Sequence, residues 1–169
     1  MRSTRQIAIE HSVIVSNQPY EKVLEGLESR LGSASGWQET EQRLQALATA
    51  QASWEQVSEM IERNIGTSDF MLFKTVEHTP LLTLVGKQSR AVQYTAGNPL
   101  LAIQMSRLQP EAALYAPLRF VVYEDEAHNT FVAYDNFVSL LAQYQRAEII
   151  KVAQMVEQKL ETLIAEVTQ

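Results

Sequence analysis

The stretch that decides the fold is LRFVVYEDEAHNTFVAYD, residues 118–135. Two β-rich runs, Leu118–Tyr123 and Thr130–Tyr134, flank an acidic, polar turn. Alternating runs separated by turn chemistry predict an antiparallel hairpin. Just upstream, RAVQYTAG (90–97) reads as another strand, and it runs directly into Gly97-Asn98-Pro99 and an apolar helix, Pro99 to Leu108. Gly97 permits a positive φ at the strand end. Asn98 is a strong N-cap, and Pro99 is pre-set for the first helical position. The free N–H groups of such a first turn can bind a carboxylate or phosphate. The same three residues also suffice as an ordinary helix start. The spaced glycines and lysine of a phosphate loop are missing.

Working outward, SDFMLFKTVEH (68–78) alternates, with apolar residues on both faces, which predicts a central strand. Pro80 breaks it, and residues 80–86 fit a strand or a helix equally. At the N-terminus, Gln6–Val15 alternates as a half-buried strand. Ser16 or Asn17 can cap the helix that follows, whose apolar face is Tyr20, Val23, Leu24, Leu27 and Leu31, with Gly32 as its stop. GSASG (32–36) predicts a short flexible break. A helical segment, about 37–65, follows with one apolar stripe, thinned by alanines and open to a break near Thr49–Ser53. Phe137–Tyr144 predicts a short helix. Ile149, Val152, Val156, Leu160, Leu163 and Val167 form a stripe suited to packing on a sheet or on a partner helix. This order predicts an α+β fold in one domain, residues 1–169: a mostly antiparallel sheet with helices on one face and a long C-terminal helix.

Composition bounds the chemistry. In 169 residues, 46% are hydrophobic and 20% charged, ordinary values for a chain able to bury a sizeable core. There is no cysteine, which excludes disulfides, thiolate zinc sites and cysteine nucleophiles. The net charge of -6 disfavours nucleic acid and anionic membrane, both of which need a positive surface. No segment approaches the ~20 apolar residues of a membrane span. The N-terminus lacks an apolar signal core, so a cytoplasmic, soluble protein is expected.

Four residues stand out as candidate ligand contacts. Asn98 does so through the helix start described above. Arg119 begins a strand and shares a face with Val121 and Tyr123. There it can meet a carboxylate or phosphate bidentately, or sit as an exposed sheet charge. His11 and His78 fall on apolar strand faces, where a histidine serves either the core or a pocket as acid or base. Glu77 points away from His78 in a regular strand, so the two form no dyad. Glu124, Asp125, Glu126 and His128 could hold a divalent ion, but their spacing matches no metal site, so no metal is expected. G-x-S-x-G and G-x-G-x-x-G are both absent, so neither serine hydrolysis nor a dinucleotide cofactor is indicated.

Together, AGNPLLAIQM (96–105), PEAALYAPLRFVVYED (110–125) and FVAYD (131–135) resemble the bacterial and archaeal family named domain of unknown function 302. The likeness runs from about Asp69 to Tyr144. It rests on Gly97-Asn98-Pro99, Pro117-Leu118, Val122-Tyr123-Glu124-Asp125 and Tyr134-Asp135, and FMLFKTVEH (70–78) is similar to the family's preceding strand. Asn136 and Phe137 stand where the family often has a proline, and the segment 37–65 resembles an insertion. The resemblance implies a curved sheet like half of a TATA-binding protein, and homodimers. It implies no activity, cofactor or catalytic residue, and likeness to a DNA binder does not imply DNA binding. The resulting expectation is a non-catalytic homodimer that binds a small anionic ligand in a cleft near Asn98, Arg119 and His11 or His78. The alternatives are an enzyme with a histidine general base and a structural interaction module.

Overall fold

The computed structural model describes residues 2–169. Five strands, β1 (His11–Val15), β2 (Met71–Glu77), β3 (Arg90–Gly97), β4 (Leu118–Glu124) and β5 (Thr130–Asp135), form one sheet of order β1-β5-β4-β3-β2. Every neighbouring pair is antiparallel, so β2 to β5 form a meander and β1 closes the far edge. The β4–β5 turn is built by Asp125, whose Oδ1 accepts the N–H groups of Ala127 and Asn129 at 2.9 Å each, while His128 takes a positive φ of 63°. That side-chain turn is why an acidic tip connects the two strands so tightly.

Seven α-helices accompany the sheet among the described residues: α1 (Tyr20–Arg30), α2 (Ala34–Thr49), α3 (Trp54–Glu62), α4 (Thr79–Leu84), α5 (Pro99–Ser106), α6 (Phe137–Leu141) and α7 (Ala147–Thr168). Alternation decides which sheet face they cover. Val92, Tyr94 and Ala96 of β3, Leu118, Phe120 and Val122 of β4, and Val132 and Tyr134 of β5 are buried on one side. Tyr94 and Phe120 stack there with ring centroids 5.3 Å apart. The whole stripe Ile149 to Val167 of α7 is buried in this same core. It therefore packs on its own sheet and offers no surface to a partner helix. Each such leucine or valine contributes about 1.5–3 kcal/mol by leaving water. Among the described residues no helix covers the opposite sheet face. Val13 (48% exposed) and Val15 (64%) lie on it, beside the stacked pair Tyr123 and Phe131, 4.9 Å apart.

Several local expectations are corrected. The first strand is only His11–Val15, because β5 ends at Asp135, opposite His11, and leaves residues 6–10 no partner strand. β2 is an edge strand, not a central one. Its second apolar face is explained by a bulge between Leu72 and Lys74 and by Trp37 of α2, whose ring lies 4.5 Å from Phe73. Neither Ser16 nor Asn17 caps α1; Pro19 holds the N-cap position, and Ser16 Oγ accepts the N–H of Gln18 instead. GSASG is a helix start, with Ser33 Oγ capping the N–H of Gly36. Gly32 bridges to Met71, and a Cβ on it would lie 1.9 Å from the Asn64 carbonyl oxygen. It is glycine because two backbones meet there. The segment 37–65 holds two helices broken at 50–53, where Gln51 has φ 55°. Residues 80–86 belong to α4 and the turn after it. Gly97 is not in the positive-φ region; it pairs with Met71 in the sheet.

Candidate functional site

The first turn of α5 is capped from within the chain. Asn98 Oδ1 accepts the N–H of Leu100 at 2.9 Å, its Nδ2 donates to the Asp69 carbonyl at 3.1 Å, and the Leu101 N–H reaches the Asn98 carbonyl at 3.1 Å. Pro99 has no N–H. Of the two readings of Gly97-Asn98-Pro99, the contacts favour the ordinary helix start, because the N–H groups of Leu100 and Leu101 are already taken and Asn98 acts as cap and tether. It borders an apolar cavity of about 280 Å³ between Trp37, Phe73 and α5.

His11 and Arg119 come together at a different place, a cavity of about 230 Å³ at the end of β4, β5 and β1. The β1–β5 register sets His11 opposite Asp135, and His11 Nδ1 lies 2.8 Å from Asp135 Oδ1. Arg119 faces the same side from β4, opposite Thr95. Among the described residues its guanidinium has no hydrogen-bond or ion-pair partner. Gln93, Val121 and Ala133 also line the cavity, with Tyr115, Pro117 and Leu140 beside them. Tyr115 is held by its hydroxyl, which accepts from Gln143 Nε2 at 2.9 Å. An unpaired guanidinium on a rigid strand is suited to a bidentate carboxylate or phosphate. The volume is just below the ~300–1,000 Å³ of drug-sized pockets, which suits a small ligand.

The other candidates lie elsewhere. His78 sits at the N-cap of α4, beyond the end of β2, and lines neither cavity. The Asn98 cavity and the His11–Arg119 cavity adjoin through Pro117, Leu118 and Phe137. The single cleft expected near Asn98, Arg119 and His11 or His78 is thus replaced by two neighbouring cavities, with Asn98 on one and Arg119 with His11 on the other.

The acidic residues at the β4–β5 turn have other tasks. Glu124 is buried and stands directly opposite Arg90, which binds it bidentately at 3.1 and 2.8 Å. Arg90 also pairs with Glu21 of α1 and lies 4.3 Å over the Tyr20 ring. The Arg90 guanidinium holds the Glu124 carboxyl below its ordinary range, and His128 adds to the effect. Among the described residues no group of three or more His, Asp or Glu is placed to hold a metal ion. A second buried carboxylate, Glu157 of α7, receives the N–H of Phe137, the Nδ2 of Asn136 at 2.8 Å and, weakly, the N–H of Val138 at 3.4 Å. Burial pushes its carboxyl above the ordinary glutamate value. It pins the start of α6 to α7.

Sequence reasoning missed Asp135 and Gln93 as neighbours of Arg119. In β5 Asp135 shares a face with Ala133 and Phe131. The pairing of β1 with β5, which joins it to His11, spans 124 residues and leaves no local trace.

The comparisons with known proteins agree with this fold. Residues 45–167 match the family described as "Domain of unknown function DUF302". The crystal structure of an uncharacterized conserved DUF302 protein from Bacillus stearothermophilus is similar, with a TM-score of 0.61 and 14% identity over 93% of this chain and 97% of that one. At that identity the likeness is one of fold. No curated protein matches the chain. Among the described residues no helix is long and apolar enough to cross a membrane. With the match covering well over half of the 169 residues, including four of the five strands of the sheet, the chain belongs to the DUF302 family.

Proposed function

We propose that this protein is a non-catalytic, cytoplasmic homodimer that binds a small anionic molecule in the cavity lined by His11, Gln93 and Arg119. One observation carries the reading: Arg119, a permanent cation on a strand, is bonded to no carboxylate among the described residues, while the carboxylate that shares its cavity, Asp135, is held by His11. A guanidinium in that position gains most from a ligand carboxylate or phosphate. The dimer is supported by the helix-free sheet face, where Val13 and Val15 are exposed beside Tyr123 and Phe131. Apolar exposure of this kind favours self-association.

Titration calorimetry with inorganic phosphate and a series of short-chain carboxylates tests the binding. At least one anion is expected to bind, and Arg119→Ala to weaken it by about tenfold or more, equivalent to ~1.4 kcal/mol. No heat with any anion, or equal binding by Arg119→Ala, removes the reading. Sedimentation of wild type and Val15→Lys tests the dimer, which the lysine is expected to dissociate.

The enzyme reading draws on a separate observation. His11 Nδ1 is held by Asp135 at 2.8 Å, which leaves Nε2 as a base. Turnover of a bound anion that is lost in His11→Gln while binding persists would favour it over a binding role.

A further inference from the structure

We propose that the cavity between α2 and α5 is a second site, adjoining the His11–Arg119 cavity but distinct from it, for a small uncharged apolar molecule. The proposal rests on the wall and on what the wall lacks. Trp37 and Phe73 form one side, Ala102 and Ile103 of α5 the other, and Pro117 and Phe137 the end. Among the described residues no charged side chain lines it. Its two polar side chains are already engaged. Asn98 uses its oxygen on Leu100 and its nitrogen on Asp69, and Ser106 Oγ donates to the Ala102 carbonyl at 3.2 Å.

These facts select the occupant. An ionised ligand would lose its hydration and meet no counter-charge, which is strongly unfavourable. Water needs about two to four polar partners to settle in a cavity, and this wall supplies few. An apolar molecule gives up nothing and exchanges water contact for Trp37, Phe73 and Phe137. An apolar cavity of ~150 Å³ is enough to hold benzene. The present one, about 280 Å³, has room for a substituted or fused ring. Access is also accounted for. The cavity reaches solvent at Ile103, which is 41% exposed, so a ligand can enter without moving α2.

Trp37 makes the site testable. The only other tryptophan, Trp54, is 58% exposed on α3 and tolerates replacement. In a Trp54→Phe background, 4-bromotoluene is titrated against Trp37 fluorescence, since a heavy atom in contact with the ring quenches it. The expected result is saturable quenching. Ala102→Leu, which fills the cavity from α5, is expected to weaken it by about tenfold or more. Should that variant not fold, Gly97→Ala decides. Its new Cβ meets Pro117 at 3.5 Å and Phe73 at 3.7 Å, ordinary contacts that narrow the cavity without strain, and the quenching is expected to weaken several-fold. Arg119→Ala is expected to leave the quenching unchanged, which separates this site from the anion cavity. Non-saturable quenching overturns the proposal. So does quenching indifferent to the decisive filling variant, or quenching that fades as protein concentration rises because a second copy fills the cavity.

Discussion

Truncating Glu157 to alanine is expected to destabilise the protein by about 3 kcal/mol. The carboxylate is 6% exposed and is the acceptor for the Phe137 N–H and for Asn136 Nδ2 at 2.8 Å, with the Val138 N–H a weaker third at 3.4 Å. Hydrogen bonds to a charged acceptor contribute about 1.5–3 kcal/mol each, and a buried donor left unpaired costs about 1–3 kcal/mol. The donors share one acceptor, so their contributions do not add fully. For a domain of this size each kcal/mol moves Tm by about 2–4 °C, so Glu157→Ala should melt about 6–12 °C lower. The pH dependence has a definite sign. Burial raises the Glu157 pKa in the folded state, so the folded protein holds this proton more tightly than the unfolded chain. That contribution is complete below the unfolded pKa, about 4.3, and is lost as pH rises through the folded pKa. Glu157→Gln cannot titrate, so wild type should lose stability relative to it as pH rises from about 4 towards neutrality. Urea unfolding of the three proteins across that range measures both effects. A loss below about 1 kcal/mol for Glu157→Ala, or a wild-type advantage over Glu157→Gln that grows with pH, would refute the reasoning.

Other outcomes follow from the same contacts. Arg90→Met leaves the buried Glu124 carboxylate without its bidentate partner and is expected to cost about 2–3 kcal/mol. That is below the ~3–5 of a fully buried pair, because Arg90 remains a third exposed. Since Arg90 lowers the Glu124 pKa, this contribution is present above the unfolded pKa and lost as pH falls through the folded one; the gap between wild type and Arg90→Met should therefore narrow on acidification in thermal melts. Asn98→Ala should cost about 1 kcal/mol through loss of the α5 cap, measured by urea unfolding, while calorimetry shows anion binding unchanged. Gly32→Ala should cost about 3 kcal/mol or more, because its Cβ would lie 1.9 Å from a backbone oxygen, whereas Gly97→Ala, whose nearest contact is 3.5 Å, should leave Tm nearly unchanged. Circular-dichroism melts of the two glycine variants check this contrast.

Local chemistry was legible in the sequence wherever neighbouring residues decide the outcome. The hairpin 118–135 could be read because its alternation and its turn residues lie within one short stretch, and the same holds for the cap at Asn98 and the stripe of α7. The antiparallel sheet with helices on one face followed from the order of such elements. Tertiary structure decided whatever depends on distant partners. It made β2 an edge strand, with β3 as its one neighbour in the sheet order, and gave the apolar second face of β2 to Trp37. It favoured the helix start over the anion cradle at Gly97-Asn98-Pro99, because Asp69 and Leu100 take both ends of the Asn98 side-chain amide. It joined His11 to Asp135 and set Arg119 on the same cavity, while leaving His78 outside. Periodicity reports which face a side chain occupies, since that depends on the backbone repeat alone. Register and crossover report what the side chain meets there, and they are settled only when the whole core closes.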